Sequence, residues 1–348
     1  MRLTLFLFVL AISFESYAQA PQLPRENQYE FAAEVSHFTT ENNFGTYDGT
    51  SKVPHVGSFT NTKTKLQVSY NLSSDWRVFG SGSFAHSASD DGNLSRSNSG
   101  LSEFDLGGQF WKKLGPSIAL GPEAVFTYPA FRVDEDSDDT LIGEGAMRLR
   151  TGGWVLFQTG MLRPYLYAGF EYRDGGRAYL LPYRVGITLK PNQFWAQLEF
   201  RGHETVVDDA NSEDRDIRGL YLRTVNGGSL HFYSINPSLR ELATEVGVSF
   251  GDFNLKGGFA ITVDGHNAAD GWTGLVAVSY SPQPKYEEPP QDDRRFEFKN
   301  EKYDESLFQD EVSVERNGKP KPKIRKKLRK KPMVDQLLQE TQKELEEK

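Results

Sequence analysis

From about residue 28 to residue 281 the chain repeats one pattern, a hydropathy period of two carried through segment after segment. Leu66, Val68, Tyr70 and Leu72 alternate with Lys65, Gln67, Ser69 and Asn71, and Phe194, Ala196, Leu198 and Phe200 alternate with Trp195, Gln197, Glu199 and Arg201. Leu242, Val246, Val248 and Phe250 oppose Glu241, Glu245 and Ser249 in the same way. Successive side chains of a strand point to opposite faces, so each segment has one apolar and one polar face. Two architectures share that pattern: a soluble sandwich or barrel with the apolar face inward, and a membrane barrel with it turned out to lipid. Length separates them. Many segments run to about ten to fourteen residues, against a mode of about five to six in soluble proteins, and suit a tilted strand crossing hydrocarbon.

Composition narrows the class further. The mature region has no run of the roughly 18 apolar residues that a membrane-spanning helix needs. The chain has no cysteine, which removes disulfide frameworks, thiolate zinc sites and cysteine nucleophiles. No cofactor and no metal site is expected: the acidic stretches 134–139 and 208–216 lack the glycine turn and closing glutamate of a calcium loop.

The two ends differ from the body. Residues 1–20 have a basic start at Arg2, an apolar run from Leu3 to Ile12 and small residues around Ala18, the pattern of a secretory signal peptide. The barrel is expected over 21–282. Residues 283–332 are rich in charge and proline and read as a disordered linker. Within the linker, Lys319, Lys321, Lys323, Arg325, Lys326, Lys327, Arg329, Lys330 and Lys331 form a basic block of the kind that serves as an interaction arm. Residues 333–348 place Val334, Leu337, Leu338 and Leu345 at helical spacings, which predicts a short amphipathic helix.

Connections between the segments predict the topology. Tight turns at 73–75, 115–116, 162–164, 191–192, 227–228 and 251–252 alternate with longer polar loops at 40–58, 87–101, 129–139, 206–217 and 264–271. This scheme gives an all-β antiparallel barrel of about fourteen strands, with twelve as the alternative. It takes 140–160 as one long strand and splits 219–234 into two. Trp76, Phe104, Phe194, Phe250, Phe253, Trp272 and Tyr280 fall near strand ends, where aromatic girdles sit.

On these features the chain resembles bacterial outer-membrane β-barrel proteins of the porin-like type, over roughly residues 27–281. The resemblance implies an outer membrane of a Gram-negative bacterium, contact with lipid and lipopolysaccharide, and a last strand, Trp272 to Tyr280, ending in an aromatic residue. The sixty-odd residues that follow it depart from that type.

An arginine or lysine at the bilayer midplane costs about 2–4 kcal/mol, so the polar face must line the interior. The expected pore residues are Glu123, Glu144, Arg148, Arg150, Glu171, Arg184, Glu199, Arg201, Arg223 and Lys256. The further inward set comprises Glu30, Glu34, Lys63, Lys65, Arg77, Asp105, Arg173 and Glu245. Both signs of charge across a lumen predict passage of small polar solutes. A second reading is a structural or envelope-tethering barrel whose basic, periplasmic tail binds peptidoglycan or a periplasmic protein. A third is a hydrolase built on His37, His86, Ser87 and His203, which no motif organises. The bland reading of these four as rim or lumen residues is preferred, so no enzyme is expected, and a secreted, membrane-fixed body argues against nucleic acid.

Overall fold

The computed structural model describes residues 23–24, 26–45, 52–213 and 216–282. The expected signal peptide 1–20, the linker 283–332 with its basic block and the terminal helix 333–348 lie outside the described residues. In chain order the elements are β1 (Tyr29–Phe44), β2 (Lys52–Asn71), β3 (Trp76–Asp90), β4 (Ser95–Phe110), β5 (Lys112–Lys113), β6 (Ile118–Pro129), β7 (Arg148–Phe157), β8 (Leu162–Arg173), β9 (Tyr179–Leu189) and β10 (Phe194–Val207). Helix α1 (Asp216–Val225), β11 (Ser238–Phe250), β12 (Phe253–His266) and β13 (Ala269–Tyr280) follow.

Neighbouring strands pair antiparallel in chain order, β4 skips β5 to pair with β6, and β1 pairs with β13, so the sheet closes on itself. β5 is a two-residue piece beside the start of β6 and stands outside the ring. Twelve strands therefore make the barrel, the smaller of the two expected numbers. The difference from fourteen lies in residues 219–234. Arg218, Tyr221, Leu222 and Val225 are buried at positions i, i+3, i+4 and i+7, while Leu220 and Arg223 are exposed, so this stretch is the inner face of a helix and the turns after it. Over so few residues an alternating and a helical pattern fit the same letters. Residues 140–147 are loop rather than the first half of a long strand, and β7 starts at Arg148. Two expected loops are also shorter. β3 and β4 run to within four residues of each other at 91–94, and β12 and β13 are joined by Asn267 and Ala268 alone.

The two faces of the sheet are partitioned in the reverse of a water-soluble protein. Leu106, Phe194, Leu66 and Val246 are 62–67% exposed, whereas Glu199, Glu245 and Glu34 are 1–3% exposed. Such an apolar exterior on a closed barrel is the lipid-facing surface of a membrane-spanning barrel. Aromatic pairs mark the short-turn end of that surface: Tyr29 stacks on Tyr70, Trp76 meets Phe110, and Phe253 lies between Phe250 and Tyr280. Toward the other end come Phe259 with Trp272, Tyr183 with Phe200, and Tyr172 with Tyr179. No helix among the described residues is long and apolar enough to cross a membrane; the strands do the crossing.

The wall is uneven in height. β1 to β4 have 16, 20, 15 and 16 residues, whereas β6 to β9 have 12, 10, 12 and 11. On β4, Ser95 to Leu101 pair with β3 alone, because the register with β6 ends at Glu103 opposite Pro129. Thr140 of the 130–147 connection and Thr224 and Val225 of α1 bond to Ser89, Arg96 and Asn98 on the upper parts of β3 and β4.

Candidate functional site

The interior is built by strand parity. Residues that point away from the apolar surface carry the ionisable groups, and these pair across the strand between them. Lys63 on β2 reaches Glu103 on β4 at 2.6 Å, and Arg148 on β7 reaches the same carboxylate at 2.5 Å. Lys65 reaches Asp105 at 2.8 Å, with Ser81 and Thr127 also donating to that carboxylate. Arg77 reaches Glu30 at 2.7 Å and Ser69 at 2.8 Å. Lys256 on β12 lies 3.2 Å from Glu34 on β1 and 3.6 Å from Glu245 on β11. The intervening residues are small, as Ala277 is between Glu34 and Lys256 in the β13 registers, which gives the long side chains room to meet.

The expected pore residues divide as follows. Glu123 accepts hydrogen bonds from Gln109 at 2.5 Å and from the Trp154 indole at 3.3 Å, with Arg150 at 4.0 Å. Glu171 stands opposite Arg150 in the β7–β8 register. The Arg184 guanidinium lies over the rings of Trp154 and Tyr167, at 5.7 and 6.0 Å. Glu199 accepts from the Tyr165 hydroxyl at 2.6 Å, and Arg201 sits 3.7 Å from Glu199 and 2.8 Å from Glu241. Two residues fall elsewhere. Glu144 belongs to the 130–147 loop and binds Arg177 at 2.9 Å and Arg173 at 3.6 Å. Although burial opposes its ionisation, Arg173 and Arg177 hold the Glu144 carboxyl below the ordinary carboxylate range. Arg223 is on the exposed face of α1 and lines no wall, a correction that follows from the helix replacing the expected strand.

Glu103 escaped the sequence reading because of a bulge. Ser83 pairs with Glu103 while Phe84 pairs with Leu101, so Ser102 is the extra residue that reverses parity and turns Glu103 inward. Counting by twos from the exposed Leu101 puts it on the lipid face. The four candidate hydrolase residues do not assemble. His37 bonds Thr62 on the outer surface and His86 is exposed, whereas Ser87 is buried on the opposite face of β3 and His203 faces inward from β10. Among the described residues no group of acidic or histidine side chains is arranged to hold a metal ion.

Two ends of the bore have different contents. In the short-turn half lies a cavity of about 360 Å³ that reaches the rim at Gly251, Asp252 and Ser281. Its wall includes Glu30, Glu34, Lys65, Arg77, Glu123, Arg150, Arg184 and Lys256. Leu23, just before β1, packs into it on an apolar cluster of Trp111, Ala119, Trp154, Leu156, Tyr165 and Tyr167. At the long-loop end the inward side chains include Phe38 and Phe59, and loop residues cover them. His231 stacks on Phe38 with ring centroids 3.8 Å apart, and Phe232 meets Phe59 edge-on. Leu141, Tyr221, Leu222 and Val225 form a second small core there.

No protein-family model matches the chain, and no curated protein matches it. Among solved structures it is similar to an outer-membrane channel from Pseudomonas putida F1, with 11% identity and a TM-score of 0.58 over 77% of this chain and 100% of that one. Weaker likenesses include the NanC porin, with 10% identity and a TM-score of 0.43 over 72% and 98% of the two chains. The KdgM porin follows with 9% identity and a TM-score of 0.41 over 74% and 99%. The first of these supports the fold, a closed antiparallel β-barrel.

Proposed function

We propose that this protein is an outer-membrane channel for small polar solutes, with a charged lumen built from the paired carboxylates and cations of the inner wall. The observation that carries the reading is the partition of the sheet. Ionisable groups turn inward around a cavity that reaches one rim, and apolar groups turn outward to lipid. Carboxylates and cations set at intervals around a narrow bore favour polar solutes over apolar ones and orient their dipoles. The short-turn rim then faces the periplasm of a Gram-negative cell and the long loops face outward. The lumen residues are Glu123, Arg148, Arg150, Glu171, Arg184, Glu199, Arg201 and Lys256, and no enzymatic role is assigned. Planar-bilayer recording of the purified, folded protein tests this; absence of ion conductance under any applied voltage would reject it.

A second reading has one observation in its favour: β13 ends at Tyr280 on the short-turn rim, so residues 283–348 connect to the barrel on the side assigned to the periplasm. There the basic block 319–331 would tether the barrel to peptidoglycan carboxylates or to a periplasmic protein. Removing 283–348 separates the readings, because a tether loses co-sedimentation with cell wall while a channel still conducts.

A further inference from the structure

We propose that the stretch from Arg218 to Asn236 is a closure of the outer mouth, held shut by Tyr233 in contact with two guanidinium groups. The proposal rests on the channel reading above.

The stretch crosses the whole opening. It belongs to the connection between β10 and β11, yet several of its hydrogen bonds are made to β1 to β4 across the ring. Ser89 of β3 donates to the Val225 carbonyl at 2.5 Å, and Arg96 of β4 donates to the Thr224 carbonyl at 3.0 Å. The Gly57 amide of β2 donates to the Gly227 carbonyl at 3.1 Å. On β1, Asn43 donates to the Gly228 carbonyl and accepts from the Leu230 amide. Asn226 and Ser229 have no exposure at all, nor has Phe59 on the wall beneath.

Tyr233 ties the layer to the other loops. The Arg177 guanidinium, from the β8–β9 turn, lies 4.2 Å from its ring centroid, and that of Arg218 lies 4.4 Å away. Arg177 is fixed by Glu144 of the 130–147 loop, through the carboxylate at 2.9 Å and the carbonyl at 2.8 Å. Arg218 is fixed by buried Asp209 at 2.9 and 3.2 Å. The Tyr233 hydroxyl donates to Glu135 of the same 130–147 loop. One ring thus joins three connections. It does so with a backbone φ of +65°, a left-handed conformation that bulky side chains disfavour and that persists only where surrounding contacts impose it. Gly227 and Gly228, with φ of +60° and +92°, break the chain direction after α1, and Asn236, with φ of +48°, does so before β11. The stretch therefore turns at its middle and at its C-terminal end on residues that tolerate rotation, and the Tyr233 contacts add to the hydrogen bonds that seat residues 224–230 on β1 to β4.

Single-channel recording from the full-length protein tests the closure with two variants. Tyr233→Asn removes the ring but retains a residue that accepts the left-handed backbone. Replacing 219–234 by a glycine–serine linker of equal length removes the layer. Two contacts of this cation–π kind support about a tenfold shift in the open fraction when lost. The expected result is a wild-type channel that is mostly closed, a Tyr233→Asn channel with about ten times the open fraction, and a linker variant that stays open. Wild-type and linker channels with equal conductance and open fraction would overturn the closure while leaving the channel reading intact. An unchanged open fraction in Tyr233→Asn would overturn the latch and with it the proposal. A linker variant that folds, as shown by its heat-modifiable electrophoretic mobility, yet passes no current would reject the channel reading and the closure together.

Discussion

The two ends of one bore solve the same packing problem in opposite ways. In the short-turn half, inward positions carry long charged side chains that pair across small neighbours and leave a cavity. In the long-loop half, inward Phe38 and Phe59 have no charges to pair with and are instead covered by chain folded in from the connections, forming a core like that of a soluble protein. The character of the inward residues therefore differs between the half that holds a cavity and the half that is packed. Strands supply the frame for both, and the loops add apolar cover over Phe38 and Phe59 and an ion pair from Glu144 to Arg173 of β8.

The difference can be tested from both sides. The largest effect is expected from Lys256→Met, which strips the shared cation from Glu34 and Glu245 and leaves two buried carboxylates uncompensated. Breaking a buried pair in this way costs about 3–5 kcal/mol. The barrel should lose heat resistance in gel-shift assays and its ion selectivity should move toward cations; unchanged melting would mean that the wet half is not held by its ion pairs. Val225→Asp attacks the dry half, placing a charge in the small core at a cost of about 3 kcal/mol. Here the barrel should keep its melting temperature while protease cuts appear between 218 and 240. Loss of the whole barrel would show that the two halves are one cooperative unit.

A smaller effect is expected from Glu144→Gln, at about 1–3 kcal/mol for a charge-assisted contact, again read as protease sensitivity of the mouth. Its pH dependence has a definite sign. The folded carboxyl titrates below its ordinary value of 4.5, so its contribution is complete above that value and is lost as pH falls through the lowered one. Protection of the mouth should be flat from pH 8 to the ordinary carboxylate range and fall only below it; a midpoint near neutrality would contradict the Arg173 and Arg177 contacts. The least effect, within about 0.5 kcal/mol, is expected for Arg223→Ala, which lies on the exposed face of α1. A change in its selectivity would return that residue to the lumen wall.

Most of the frame was legible in the sequence because lipid-facing strands must alternate over their full length, and a one-residue slip would expose Glu199 or Arg201 to hydrocarbon. The same rule identified the inward residues on β6 to β12. It failed where alternation itself breaks: the extra residue at Ser102 hid Glu103, and the short run at 218–225 fits two periods at once. The mouth was not legible at all. Arg177, Arg218 and Tyr233 stand far apart in sequence, no spacing links them, and only the return of the loops over the ring brings them together.

One consequence lies in the seam. β1 is held on one flank by β2 and on the other by β13, the last strand described. A chain made from its N-terminus must therefore carry its first strand with one flank open, from Phe31 to Asn43, until Ala269 to Tyr280 have arrived to meet it. Exposed edges of this kind invite mispairing and aggregation, and among the described strands that flank of β1 is covered only by its pairing with β13.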